Sequence, residues 1–588
     1  MRVRLLRAAQ LMLAAPLLVT AAGPAARHSG PTMILHNGRI YTGDPKQPYV
    51  EALAIRGARV SAVGESSTIL KSATPGTRII DLAGHMAMAG INDAHDHPGN
   101  VPFGSSADTG ASPHSDPSLA SVAEAVGQAA RRSPRDAWIH AVVGPAAIKD
   151  AAAAQIAVDA VADGRPVVLS AWWGHGVVLN ARGLALLNLN HRTPDPLGGR
   201  LERDASGRIT GKLEEYAGWR VLQRLQSTAS DAAQQAHWRA YADRRLREGV
   251  TSVQAMAGDQ TPAALARALH CADLPIRLRF VRFPMSVEEA SDADAWKKLR
   301  SRLPPLTRVS GVKWVLDGTP IEGLAFQSQP NRDRPGWRGR PNFTTEHLRV
   351  QLARALAGGE QLHLHAVGDA MAGLVLDEME RMAPPERWRR ARVRLEHANG
   401  IVGPELERSK RLGIVLAQPR PTAPIGGWLR AGLPVAYGSD MGFPPFAMLA
   451  AMTSEKNPGA ITREEGLAVL TRWPAYAEFA EAEKGLLTPG MLADIAVLSQ
   501  NVMKVPAALL PATKSLLTIV GGSDSYSAPQ FNRATSRKVK NQHLADRTQV
   551  RTLAPMRHDA GPSGGGSSHN VWFFVRRLLP LGAELAPR

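Results

Sequence analysis

The chain is poor in cysteine, in aromatic residues and in acidic residues, and each shortage excludes or disfavours some kinds of protein or site. Its 588 residues include a single cysteine, Cys271, which excludes an intrachain disulfide framework and any metal site built from several cysteines. Aromatic residues make up only 5% of the chain and are not interleaved with basic residues, as they are in many nucleic-acid grooves. Beyond the N-terminus, no stretch reaches the roughly twenty consecutive apolar residues of a transmembrane helix. Stability must therefore come from core packing or from a metal bound by other ligands.

Acidic residues are also in deficit, with 52 Asp and Glu against 70 Lys and Arg, for a net charge of +18. Residues 529–588 carry ten basic and three acidic side chains, so seven of those charges belong to the last sixty residues. This uneven distribution disfavours a nucleic-acid surface, although DNA binding through the tail stays an alternative that predicts a steep salt dependence. We predict that 523–588 is a basic, flexible tail. Its apolar segment at 571–580 is too short to span a bilayer.

The N-terminus has the layout of an export signal. Arg2, Arg4 and Arg7 precede an apolar run at 11–19, and small residues follow at 20–26. We expect 1–26 to be a signal peptide that directs the chain to the periplasm or the extracellular space, with no transmembrane segment in the mature chain. An uncleaved signal anchor is the alternative.

The order of strand-like and helix-like segments predicts the α/β fold class. Short strands with turn residues occupy 33–89 and recur at 485–522, which predicts one composite β-sandwich domain built from both ends of the chain. Between 90 and 484, apolar β-branched runs alternate with long helical stretches, which is typical of a (β/α)8 TIM barrel. PVVLS at 166–170 is counted among the barrel strands. The excess length predicts an insertion near 102–163.

Polar residues that end apolar strands are the candidates for a barrel active site, because the carboxyl ends of the strands form that site. His95 and His97 are two apart and therefore point to the same side of an extended chain. Lys313 interrupts an apolar strand, where an unpaired ammonium is costly. Together with the later strand ends they could hold one or two divalent ions. The candidates, in chain order, are His95, His97, Lys313, His365, His397 and Asp440.

Several motifs resemble the amidohydrolase superfamily, and within it amidohydrolase family 3, a group of metal-dependent hydrolases. The resemblance rests on segments that keep the family's order: AGINDAHDH, PVVLSAWWGHGVVLNARGLALL, GVKWVLDGT, HLHAVGDAM, VRLEHANG and AYGSD. It runs from about residue 33 to residue 522. The chain departs from the family in having Ala89 where proline is usual.

The resemblance implies a role for each candidate. His95, His97 and Asp440 would bind the more buried divalent metal, expected to be zinc, and Lys313 would be carboxylated by CO2 to bridge two ions. His365 and His397 would hold the second ion, whereas an unmodified Lys313 would leave a single ion on His95, His97 and Asp440. His175, in AWWGHG, would reach toward the carbonyl oxygen of the substrate, and Asp440 would also move the proton of the attacking water.

These roles imply hydrolysis of an amide-type, non-peptide C–N bond of a small molecule by a metal-activated water. Two alternatives stay open. The same site could act on an ester, a cyclic amide or a carbamate, since one fold supports many substrates. The chain could also be a non-catalytic metal-binding protein that recruits a partner through its tail. The oligomeric state is left open.

Overall fold

A computed structural model describes residues 30–270, 272, 274–286, 289, 296, 299, 303–332, 334–420, 423–531 and 536–538. The predicted signal peptide, Cys271 and most of the predicted tail lie outside the described residues. Within these ranges, no helix is both long enough and apolar enough to cross a membrane.

The two ends of the chain form two neighbouring sheets. One has the strand order β25-β6-β1-β4-β5 and the other β24-β23-β22-β7-β2-β3. A common apolar cluster includes Leu35 and Ile55 from the first and Ile495 and Ile519 from the second. The strands are β1 (Met33–His36), β2 (Arg39–Tyr41), β3 (Tyr49–Val50), β4 (Ala52–Arg56), β5 (Arg59–Gly64), β6 (Arg78–Asp81), β7 (Met86–Ala89), β22 (Ile495–Leu498), β23 (Ser515–Val520), β24 (Ser523–Ser527) and β25 (Ser536–Lys538), with α1 (Ser66–Leu70) and a 3-10 helix (Ala507–Ala512).

The predicted tail boundary at residue 522 is wrong, because β24 pairs with β23 and β25 pairs with β6. The sequence SDSYS gave no strand signal because β24 is an edge strand without a fully buried residue. The predicted sandwich geometry of the two sheets stays a prediction.

Eight parallel strands form the centre of the fold and pair in chain order, as the TIM-barrel prediction requires. Asp440 closes the ring against the first strand, since its amide donates to the His95 carbonyl at 2.6 Å and its carbonyl accepts from the His97 amide at 3.1 Å. The strands are β8 (Ile91–Asp96), β15 (Val250–Ala257), β16 (Arg277–Arg282), β17 (Thr307–Val315), β18 (Leu362–Ala366), β19 (Arg394–His397), β20 (Val415–Gln418) and β21 (Val435–Tyr437).

Helices lie between the barrel strands in the described residues, and some of them begin or end at capping residues. Thr462 and Glu465 form a reciprocal capping box at the start of one of them, and Gly413 ends another in the left-handed conformation. The helices are α7 (Asp231–Arg247), α8 (Pro262–His270), α9 (Thr345–Leu356), α10 (Asp369–Met382), α11 (Pro385–Ala391), α12 (Pro404–Leu412), α13 (Ile425–Arg430), α14 (Pro445–Met452), α15 (Arg463–Leu470) and α16 (Arg472–Ala477).

A separate six-stranded sheet is inserted between β8 and β15, and it is longer than predicted. It comprises β9 (Ser105–Ala107), β10 (Ile139–Val143), β11 (Val167–Ala171), β12 (Val177–Leu179), β13 (Gly199–Arg203) and β14 (Ile209–Glu215), with α2 (Leu119–Arg132), α3 (Pro145–Lys149), α4 (Ala151–Asp159), α5 (Ala181–Leu186) and α6 (Tyr216–Gln226). VVLS of this segment therefore belongs to β11 rather than to a barrel strand, and the insertion extends past residue 163, with its sheet ending at Glu215 and α6 following. A buried apolar run does not reveal which sheet it joins, so the sequence pattern could not separate the two.

Candidate metal centre

The structure brings the predicted residues together at the carboxyl end of the barrel. His95 lies near the end of β8 and its Nε2 is 3.3 Å from His97 Nε2 and 3.4 Å from Asp440 Oδ1. His97 Nε2 is 3.7 Å from the same Asp440 oxygen. Lys313, on β17, places Nζ 3.2 Å from His95 Nε2. Four side chains from three strand ends thus converge on one point.

The spacing of these atoms fits a divalent ion. A tetrahedral zinc with bonds of about 2.0–2.2 Å needs its ligand atoms about 3.4 Å apart. The three separations among His95, His97 and Asp440 are 3.3, 3.4 and 3.7 Å. Two imidazole nitrogens and one carboxylate oxygen are also the donor types that zinc accepts.

His365 and His397 form a second group beside the first. Their ring centroids are 4.4 Å apart, and the His397 ring is 5.3 Å from the His95 ring. His365 Nε2 is buried and has no hydrogen-bond partner among the described residues. A buried imidazole nitrogen with no partner is costly unless it meets a ligand. The pair therefore offers further donors next to the first group.

The backbone is strained where it presents these residues. His397 and Asp440 have φ of 68° and 60°, in the left-handed region that residues with a side chain seldom adopt. Such conformations cost about 1–3 kcal/mol each and cluster at functional sites. Gly438 allows β21 to approach β8, because a Cβ at this position would lie 2.6 Å from the Cβ of His95.

The surroundings favour neutral imidazoles at His97, His365 and His397 and an ionised carboxylate at Asp440. Burial, with the neighbouring His95, lowers the pKa of His97 to about 3, and burial also lowers the pKa of His365 and His397 well below the usual value. Burial acts to raise the pKa of Asp440, but the surrounding imidazoles and Lys313 together lower it. Neutral imidazoles and an ionised carboxylate are the protonation states that bind a metal.

Lys313 is 1% exposed. Burial lowers the pKa of its amine to about 8, although the Glu396 and Asp440 carboxylates act in the opposite direction. A substantial neutral fraction of this amine is thus available near neutral pH, and neutral amines are the form that reacts as nucleophiles.

The inserted sheet supplies His175, between β11 and β12. Its ring centroid is 5.1 Å from the His365 ring, and its Nδ1 lies 3.0 Å from an oxygen of Glu215, the last residue of β14. Burial acts to lower the pKa of His175, but the charge and hydrogen bond of Glu215 raise it to about 9. His175 therefore presents a protonated ring to the metal side.

The carboxylates near the site that were missed from the sequence include the buried Glu215 and Glu396 and the half-buried Glu322. Glu322 accepts a hydrogen bond from Trp173 Nε1 at 2.7 Å and lines a cavity of about 290 Å³ together with charged residues of β13 and β14. Glu396 contacts His95 Nδ1 at 2.6 Å. A signal was present for Glu396, because an acidic residue inside the apolar strand VRLEHA raises the same question of burial as Lys313.

Comparisons with known proteins identify the family and the fold. The profile of the amidohydrolase family matches residues 78–526. An N-substituted formamide deformylase of Arthrobacter pascens is 24% identical over 550 residues, covering 84% of this chain and 98% of the relative. The putative amidohydrolase YtcJ of Bacillus subtilis is 24% identical over 539 residues, covering 84% and 99%. The crystal structure of an uncharacterized metal-dependent hydrolase from Pyrococcus horikoshii shares the fold, with a TM-score of 0.59 and 20% identity over 81% of this chain and 99% of that one.

Proposed function

The chain belongs to the amidohydrolase family, and we propose that it is a metal-dependent hydrolase of an amide-type, non-peptide C–N bond in a small molecule. The observation that carries the proposal is the convergence of His95 Nε2, His97 Nε2 and Asp440 Oδ1 within 3.7 Å of one another. The deformylase among its relatives, which is named for N-substituted formamides, supports the choice of C–N bond.

The donor set assigns the residues that would hold the metal. His95, His97 and Asp440 would bind one ion, His365 and His397 would bind a second, and a carboxylated Lys313 would contribute a ligand to both. The low pKa of the Lys313 amine supports reaction with CO2 to give a carbamate. A bound divalent ion, with zinc as the first candidate, would supply Lewis acidity and lower the pKa of water from 15.7 toward about 7.

The protein's own groups would then move protons and orient the substrate. The ionised Asp440 carboxylate would accept a proton from the attacking water and return it to the leaving nitrogen as a general base and then acid. His175, protonated and held by Glu215 at 3.0 Å, would donate a hydrogen bond to the carbonyl oxygen as negative charge develops there. The cavity beside Glu322 would receive the polar part of the substrate.

Metal content and hydrolysis together test the proposal. The purified protein is analysed by plasma mass spectrometry, with added bicarbonate and without it, and is then assayed against N-formyl and N-acetyl amines with matched esters, lactams and carbamates. We expect one or two divalent ions per chain, more with bicarbonate, and turnover of the amides that chelation abolishes. Preference for the ester, lactam or carbamate would replace the substrate assignment. A metal-free protein that is inert on every substrate would support the non-catalytic alternative instead.

We also propose that the chain is exported. Residues 1–26, the predicted signal peptide, lie outside the described residues. The predicted leader accords with an enzyme that meets its substrate outside the cytoplasm.

A further inference from the structure

Two buried residues of β19, Arg394 and Glu396, lie across the barrel interior from the strand that carries His95. β19 and β8 are not neighbours in the sheet. Because side chains alternate along a strand, Arg394 and Glu396 share one face. Neither side chain has any exposed surface.

Arg394 and Glu396 contact two consecutive residues of β8, one at its backbone and the other at its side chain. Glu396 Oε2 lies 2.6 Å from His95 Nδ1, and Arg394 Nη2 donates to the carbonyl oxygen of Ala94 at 2.7 Å. Arg394 Nε is 3.0 Å from Glu396 Oε1, so an ion pair holds the carboxylate in place. Glu396 Oε1 is also 3.2 Å from His363 Nδ1. The contacts to β8 therefore fix both the ring of His95 and the backbone before it.

The chemistry of the contact determines where His95 carries its hydrogen. An ionised carboxylate accepts hydrogen bonds and donates none, so the hydrogen lies on Nδ1. The lone pair is then on Nε2, the atom that faces His97, Asp440 and Lys313. A carboxylate behind a ligand histidine fixes its tautomer and orientation and raises its basicity.

Among the described residues, no carboxylate makes an equivalent contact with the ring of His97. Its Nδ1 is 4.0 Å from the nearest oxygen of Asp259, beyond hydrogen-bond distance. Its backbone amide instead contacts the Asp96 side chain at 2.9 Å and the Asp440 carbonyl at 3.1 Å. Among the described residues, His95 is thus held through both its ring and its backbone, whereas the hydrogen bonds that hold His97 from outside the ligand group are made by its backbone.

We propose that Glu396 is a positioning residue that sets the tautomer and orientation of the His95 ring for divalent-metal binding, with Arg394 holding Glu396 in place. The inference rests on the proposed metal-dependent function and extends it to a residue that does not itself touch the metal or the substrate.

The test compares zinc affinity in two variants that remove similar buried carboxylates. Glu396→Gln removes the charge behind His95, whereas Glu478→Gln removes a carboxylate with no exposed surface that pairs with Lys484 and Arg308 away from the candidate ligands. Metal-free protein is titrated with Zn²⁺ in competition with a chelating dye, and folding is checked by near-UV circular dichroism. We expect Glu396→Gln to bind zinc about 10–100-fold more weakly than the wild type. Glu478→Gln should stay within about twofold.

The outcomes separate a positioning role from a structural one. Equal zinc affinity in folded Glu396→Gln and wild type would overturn the inference, as would an equal loss in Glu478→Gln. If Glu396→Gln does not fold, Glu396→Asp keeps the charge but shortens the side chain, and unchanged zinc affinity in that variant also overturns the inference. A wild type that binds zinc but hydrolyses nothing would refute the proposed function alone, because the affinity comparison does not depend on turnover.

Discussion

The two ends of the barrel interior carry different kinds of polar group. At the amino end, the buried Glu478 carboxylate lies 2.7 Å from Lys484 Nζ, accepts from Asn92 at 2.8 Å and also pairs with Arg308, while Lys484 donates to Ser252 at 2.9 Å. Each of these charges has a partner of opposite sign or a hydrogen-bond acceptor. The amino end is therefore a network of paired charges that joins the starts of β8, β15 and β17.

At the carboxyl end, the potential ligand atoms are only partly satisfied by one another. His95 and His97 point Nε2 toward the same Asp440 oxygen, and His365 Nε2 has no partner among the described residues. Two imidazole nitrogens and a carboxylate oxygen within 3.7 Å of one another also have the spacing at which they could hold a cation between them. The two ends thus differ in how completely their polar groups are paired, and the proposed function places metal binding and catalysis at the end where the pairing is incomplete.

The largest expected effect is a loss of activity when Asp440, at the carboxyl end of the barrel, is substituted. Asp440→Asn keeps the shape of the side chain but removes the base, so we expect kcat to fall about 10²–10⁴-fold. The urea midpoint should stay close to that of the wild type, and at least one ion should remain bound by plasma mass spectrometry. Unchanged kcat in a metal-loaded variant would remove Asp440 from the mechanism.

At the amino end of the barrel, we expect a substitution to lower stability and to leave activity unchanged. Glu478→Gln leaves Lys484 and Arg308 without their carboxylate, and removing one partner of a buried pair costs about 3 kcal/mol or more. We expect the free energy of unfolding in urea to fall by that amount while kcat and metal content stay unchanged. As a control, Glu380→Gln removes a partly exposed carboxylate that pairs with Arg408 and Arg411, and should cost no more than about 1 kcal/mol. A large loss of kcat in Glu478→Gln would break the division between the two ends.

Much of this division could be predicted from the sequence, for physical reasons that apply at particular residues. His95, His97, Lys313 and Asp440 were identifiable because polar groups that end or interrupt apolar strands need a reason to be there. Glu396 and Glu215 were missed because their importance comes from what they contact across the fold, His95 and His175, and neither contact is local in sequence.

The errors in the fold have a related cause. β11 was assigned to the barrel because its apolar run indicates burial but not a partner, and its pairing with β10 and β12 is a tertiary choice. β24 was assigned to the tail because its residues are polar, although its backbone pairs with β23. The sequence thus indicates which segments are buried better than it indicates which strands pair with one another.

The smallest expected effect is a decrease, at low pH, in the stability that Glu478 contributes at the amino end. Burial acts to raise the pKa of Glu478, but Lys484, Arg308 and Arg279 lower it from 4.5 to about 2. Because the folded value is depressed, the carboxylate contributes stability that is fully present above pH 4.5 and is lost as the pH falls through about 2. The difference in unfolding free energy between wild type and Glu478→Gln should therefore be constant above pH 4.5 and shrink by about 1.4 kcal/mol by pH 3.5. Urea melts of both proteins across this range provide the measurement. A difference that stays constant down to pH 3.5 would mean that the partners of Glu478 do not hold its carboxylate ionised. The charges at the amino end would then not stabilise one another as the comparison requires.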